Sequence, residues 1–160
     1  MTMIIDGTNG LTFNNATTQA SAGVVLQVVN ATYSTSVSNG TSTYANTNLT
    51  ATITPKFSTS KILILATVSG VKTAAINTGV KVSLYKGTSA TILCSPVNFG
   101  GFNTSSTDNN TMTSVAYLDS PATTSATTYG FAFLRNTGSG NVDVQNNSAF
   151  STITLMEIAA

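Results

Sequence analysis

LTATITPKFSTSKILILATVS, residues 49–69, carries two strand patterns in succession. In the first, Leu49, Ala51 and Ile53 alternate with Thr50, Thr52 and Thr54. A period of two places one face of a strand in a core and the other in water. In the second, residues 61–69, apolar side chains occupy both faces, as expected of a central strand covered on two sides.

The same signals continue in both directions. VVLQVVNATY (24–33) is a mostly apolar run, and GVKVSLY (79–85) sets Val80, Val82 and Leu84 on one face. The turn KGTSA then leads to TILC (91–94), a hairpin pattern. A loop rich in Gly, Asn and Ser over residues 96–110 precedes MTSVAYLD (112–119), TYGFAFLRN (128–136), NVDVQN (141–146) and AFSTITLMEI (149–158). No window of a dozen residues holds a 3.6-residue apolar period, so helices are not expected. Eight or nine strands spaced by about 8–15 residues predict an all-β antiparallel sandwich, with a jelly roll ahead of an immunoglobulin-like topology. This domain spans residues 24–160. Residues 1–23 form a separate N-terminal β-hairpin around DGTNG, joined through TTQASAG.

Two features ask for a partner. A two-stranded hairpin bracketed by Ile4/Ile5 and Leu11/Phe13 is too small to bury its own face. These four residues are therefore expected to dock on another copy of the chain or on another protein of an assembly, as a particle-docking element. In the last strand, Phe150, Met156 and Ile158 fall on one face, with Ile153 and Leu155 on the other. Either the strand lies within a covered sheet, or the face of Phe150, Met156 and Ile158 meets a neighbouring subunit.

Composition narrows the function. Only 7% of the 160 residues are charged and the net charge is +1, so no basic patch for nucleic acid can be drawn. Thr, Ser and Asn make up roughly two fifths of the chain, against about a quarter charged residues in a typical domain, so hydroxyls and amides do the solvating. No apolar run approaches the roughly 18 residues of a membrane span, and the N-terminus lacks the pattern of a secretory signal. Cys94 is the one cysteine and reads as a small buried apolar residue.

Catalytic chemistry finds little support. The absence of histidine removes the commonest general base and the Ser/His, Cys/His and His-metal arrangements. The five acids, Asp6, Asp108, Asp119, Asp143 and Glu157, are scattered in sequence, so a carboxylate dyad would have to be assembled by the fold. Asp108–Asn110 lacks the spaced acids of a calcium loop, and the Asp-Gly and Asn-Gly pairs read as turns. No metal, cofactor or catalytic residue is assigned. Phe99, Phe102 and Asn103, in the glycine loop SPVNFGGFNTSSTDNN, are the candidates for contact with a receptor, because aromatics on adaptable loops stack against sugars or proteins.

IIDGTNGLTFNNATTQASAG, starting at Ile4, resembles the IxDGTNGLTFPDGTTQxSA element of fibre and other virion proteins of tailed bacteriophages. It departs at Asn14-Asn15-Ala16, where the usual form has Pro-Asp-Gly, a tighter turn. ATYSTSVSN, LTATITPKFSTSKILI and the ending STITLMEIA are similar to the C-terminal domains of such fibres. The resemblance implies a homotrimeric sandwich related to the tumour-necrosis-factor and C1q knobs. It further implies a virion structural protein, made in the host cytoplasm, that docks on other virion proteins and exposes its knob to a host surface glycan or protein. A short tail fibre is the first expectation. A head fibre or capsid decoration protein and a stand-alone carbohydrate-binding module are the alternatives.

Overall fold

The computed structural model describes residues 4–6, 10–12, 18–19, 24–87, 91–102, 104–105 and 109–159. Near the N-terminus, β1 (Ile4–Asp6) and β2 (Gly10–Thr12) pair antiparallel with Ile5 opposite Leu11. A third strand, β3 (Thr18–Gln19), adds to β2, so part of the expected connector belongs to the small sheet.

The remaining strands are β4 (Val25–Tyr33), β5 (Val37–Asn39), β6 (Ala45–Ile53), β7 (Lys61–Thr73), β8 (Gly79–Lys86), β9 (Thr91–Gly100), β10 (Asn109–Asp119), β11 (Thr127–Thr137), β12 (Val142–Val144) and β13 (Ser151–Ile158). They form two antiparallel sheets. In the first, the order is β4-β13-β7-β10, with short β12 and β5 continuing beside the far half of β7. In the second, the order is β6-β11-β8-β9. Of the long strands, only β8 and β9 are successive within one sheet, and every other long connection crosses between sheets. This winding is the jelly roll.

Alternation builds the core. Leu49, Ala51 and Ile53 of β6, Val80, Val82 and Leu84 of β8, and Tyr129, Phe131 and Phe133 of β11 point inward from the second sheet. Ile62, Ile64, Ala66 and Val68 of β7 meet them, joined by Ile153 and Leu155 of β13. The terminal strand thus lies inside a sheet, hydrogen-bonded on both edges by β4 and β7.

Two strands run differently from the sequence expectation. Pairing of β9 continues through Val97 and Gly100, so the segment before Gly101 is strand and Phe99 sits in β9 rather than in a loop. Pro96 is tolerated because β9 is an edge strand, where a missing N–H costs no ladder bond. The second difference concerns β7, whose outward side chain Leu65 is 38% exposed. Among the described residues, only one of its two apolar faces is covered.

Candidate functional site: an uncovered sheet face

The registers of β4, β13, β7 and β10 define the outer face of the first sheet row by row. Val28, Met156, Leu63 and Leu118 form one continuous cross-strand row. Asn30, Thr154, Leu65 and Ala116 form the next, and Thr32, Thr152, Thr67 and Ser114 the one beyond. Ile158 extends the apolar end between Val25 and Lys61. Val28 and Leu118 are about half exposed, at 55% and 51%. Lys61 is the one charged residue in these rows.

Among the described residues, every exposed large apolar side chain borne on a strand belongs to this sheet: Val25, Val28, Leu65, Met112 and Leu118. The outer surface of the second sheet is polar where it is exposed, as at Asn46, Asn48, Thr50 and Thr52, and elsewhere is packed by its own side chains. Tyr85, 3% exposed, lies across Gly130, where a Cβ would come within 2.7 Å of the tyrosine Oη. Ser83 Oγ joins Tyr44 Oη and Ser95 Oγ at 2.8 Å each, and Thr52 and Thr128 hydroxyls meet at 2.7 Å.

Polar groups occupy the middle of the uncovered face. Asn30 Nδ2 donates to Thr154 Oγ1 at 2.9 Å and to Thr152 Oγ1 at 3.2 Å, and the Thr67 and Ser114 hydroxyls lie 3.3 Å apart. The small side chains here leave an open depression of about 400 Å³ lined by Leu65, Thr67, Ser114, Ala116, Thr152 and Thr154.

Met156 and Ile158 fall on this face, as the alternation of the last strand indicates. Phe150 precedes β13 at the opposite end and is 62% exposed. Phe102 follows β9 in a turn and is also exposed. Asn103, Phe13 and the Phe99 side chain lie outside the described residues, and Ile4, Ile5 and Leu11 belong to the small N-terminal sheet. Val28, Leu63, Leu65 and Leu118 are missed by sequence reasoning. The signal for Leu63 and Leu65 is the two-faced run at 61–69, which reads equally well as a strand buried on both sides, and for Val28 it is the mostly apolar run at 24–33.

The sandwich has a definite polarity. The Val24 carbonyl, accepting from the Ala159 amide at 3.0 Å, sits at the end where β7 begins. The turn bearing Phe102 lies at the end where β7 finishes, since Asn109 pairs with Thr73. The 13 residues of β7 separate these ends by roughly 40 Å.

The fold brings two of the five acids near each other. Asp119 and Glu157 flank Ile62 on either side of β7, so their Cα atoms are two strand spacings, about 10 Å, apart. Both are buried and engaged in hydrogen bonds that join elements of the sandwich. Asp119 accepts from Tyr129 Oη at 2.6 Å and Lys86 Nζ at 2.9 Å, tying β10 to the opposite sheet. Burial, reinforced by the Asp119 carboxylate, holds the Tyr129 hydroxyl well above the ordinary tyrosine range. Glu157 accepts from Gln27 Nε2 and from the Lys56 amide at 2.7 Å, with the Phe57 amide at 3.4 Å. Burial alone would raise its carboxyl, but these hydrogen bonds outweigh it and leave the group below the usual carboxylate range. Among the described residues no three His, Cys, Asp or Glu side chains cluster as metal ligands. Burial pushes the Cys94 thiol up, away from the thiolate a nucleophile needs.

No family model matches the sequence, and no curated protein matches it. Among solved structures, the chain is similar to the VP2 subviral particle of infectious bursal disease virus, at 14% identity and a TM-score of 0.43, over 82% of this chain and 39% of that one. T=1 particles derived from the same virus match at 11% identity and a TM-score of 0.45, over 87% and 40% of the respective chains. The chain spans about two fifths of the length of these proteins.

Proposed function

We propose that the chain is a non-enzymatic virion structural protein, a short homotrimeric fibre or knob. Its sandwiches associate through the outer face of β4-β13-β7-β10, and residues 1–23 dock it on the particle. The observation that carries this reading is the segregation of exposed strand-borne apolar side chains onto one sheet. Such a patch on a soluble domain marks an interaction surface. Charge is confined to the two ends of the face, Lys61 at one and Lys72 opposite Asp143 at the other, so the uncharged rows between them suit burial against an equally uncharged surface. A copy of the same chain supplies that surface, and closed symmetry limits the assembly.

The resemblance of the N-terminal element to phage virion proteins supports docking through Ile4, Ile5, Leu11 and Phe13. The polarity of the sandwich fits this orientation, because Val24 leaves one end while Phe102 lies at the other. The outward end is then free to meet a host glycan or protein, and repetition by symmetry multiplies weak contacts.

Sedimentation equilibrium on the full chain tests the reading. Three-fold mass is expected, with Leu65→Asp/Met156→Asp reverting to a folded monomer. A wild-type protein monomeric at every concentration overturns it. Deleting residues 1–20 is expected to leave the sandwich folded and to abolish incorporation into particles, and normal incorporation would refute the docking role.

A further inference from the structure

The uncovered face contains a knob as well as a hollow. Met112 is the most exposed large apolar side chain among the described residues, at 65%. It falls where the β10–β7 register shifts between Thr111 and Thr113, so it has no partner residue on β7. The extra residue of this bulge lies on β7, which places Ser69 and Gly70 between Val68 and Val71 where β10 has Met112 alone, so the bend is in β7. The β10 strand is an edge, paired on one side by β7. Met112 therefore projects from the border of the first sheet, while the 400 Å³ depression lies in the middle of the same face.

Projected area indicates what the hollow is for. Four strands about 4.8 Å apart, each contributing about seven residues, present of order 500 Å² in projection. A stable specific interface buries about 800 Å² from each partner. Side-chain relief makes the accessible area of such a face larger than its projection, so the face is of the order a stable contact needs, and an edge interlocked with it adds the sides of the knob and the walls of the hollow. Both elements are uncharged, and both belong to every copy.

We propose that Met112 of one copy enters the depression lined by Leu65, Thr67, Ser114, Ala116, Thr152 and Thr154 of the next. This rests on the assembly reading and specifies its packing. The apolar thioether meets Leu65 and Ala116, and the hydroxyls around the hollow keep their bonds to Asn30 and to one another. In the homotrimer proposed above, the knob of each copy meets the hollow of the next around the ring, a head-to-tail contact.

Cysteine cross-linking of the full chain tests this in a Cys94→Ser background. Met112→Cys and Thr154→Cys in one chain sit on strands separated by β7, about 10 Å apart at least, too far for an intrachain disulfide. Oxidation is expected to give covalent dimers and trimers only when both cysteines are present. In parallel, Met112→Asp is expected to weaken association by about 30-fold or more, the effect of removing an interface hot spot, while Met112→Leu assembles normally. Absent cross-links together with normal assembly of Met112→Asp overturn the knob while leaving the assembly reading standing. A monomeric wild-type protein overturns both.

Discussion

Replacing Asp119 by alanine removes a carboxylate that holds the edge strand β10 to the opposite sheet. Two donors lose their acceptor. Tyr129 Oη, 2.6 Å away on a wholly buried residue, has no water to replace it. Lys86 Nζ, 2.9 Å away with its side chain 28% exposed, is partly resolvated, so its loss counts for less. A hydrogen bond to a charged group contributes about 1.5–3 kcal/mol, and breaking a buried pair from one side costs about 3–5 kcal/mol. Asp119→Ala is therefore expected to lose about 3–5 kcal/mol, a large part of the 5–15 kcal/mol that a domain typically has. Tyr129→Phe removes the buried donor but leaves the Asp119–Lys86 pair, and should cost less, about 1.5–3 kcal/mol. Urea unfolding at pH 7 and one fixed protein concentration measures both, since assembly makes stability concentration-dependent. Alkali separates the hydroxyl further. Tyr129 is raised in the folded state, so its contribution is complete below the unfolded value of about 10 and falls as pH rises above it. The advantage of wild type over Tyr129→Phe should shrink by about 1 kcal/mol between pH 10 and 11. An Asp119→Ala protein within about 0.5 kcal/mol of wild type, the scatter of neutral surface changes, would refute the reasoning.

Glu157 gives the opposite pH dependence. Its carboxyl is lowered on folding, so its contribution is present above the unfolded value of about 4.3 and is lost as acid carries the pH down through the folded one. Acid titration of stability should be flatter for Glu157→Gln than for wild type, and parallel curves would contradict the role given to the carboxylate. Gly130→Ala places a methyl 2.7 Å from both Tyr85 Oη and Thr50 Cγ2. A loss of about 1–3 kcal/mol is expected in thermal unfolding, with Tyr85 fluorescence shifting toward that of an exposed tyrosine. In Tyr85→Ala the same glycine substitution should cost less, because the main obstacle is gone.

Much of the sandwich is legible in the chain, because strand formation depends on a local period of two. Leu49/Ala51/Ile53 and Val80/Val82/Leu84 announce both their strands and the side chains they bury. Pairing partners were less accessible. The small β5 and β12 lie beside the far half of β7, a placement that depends on where the ends of distant strands arrive. The hydrogen bonds of Asp119 and Glu157 were invisible for the same reason, since their partners come from other strands and a loop. The assembly face was half legible. Met156 and Ile158 stand out in a short terminal strand, but Leu63 and Leu65 sit in a run whose two-sided apolarity does not say which neighbour covers it.

By itself, then, the sequence determined an all-β sandwich with almost no charge and without the histidine on which most side-chain acid–base chemistry relies. These properties follow from residue type and local spacing, which need no knowledge of distant neighbours. The tertiary structure alone decided that β13 enters the middle of a sheet, that the second sheet shields itself with Tyr85 and hydroxyl pairs, and that the first sheet keeps an apolar face open. Which face of a two-sided strand meets solvent depends on what the rest of the chain can reach, and here the described residues close over one face of β7 and leave the other uncovered.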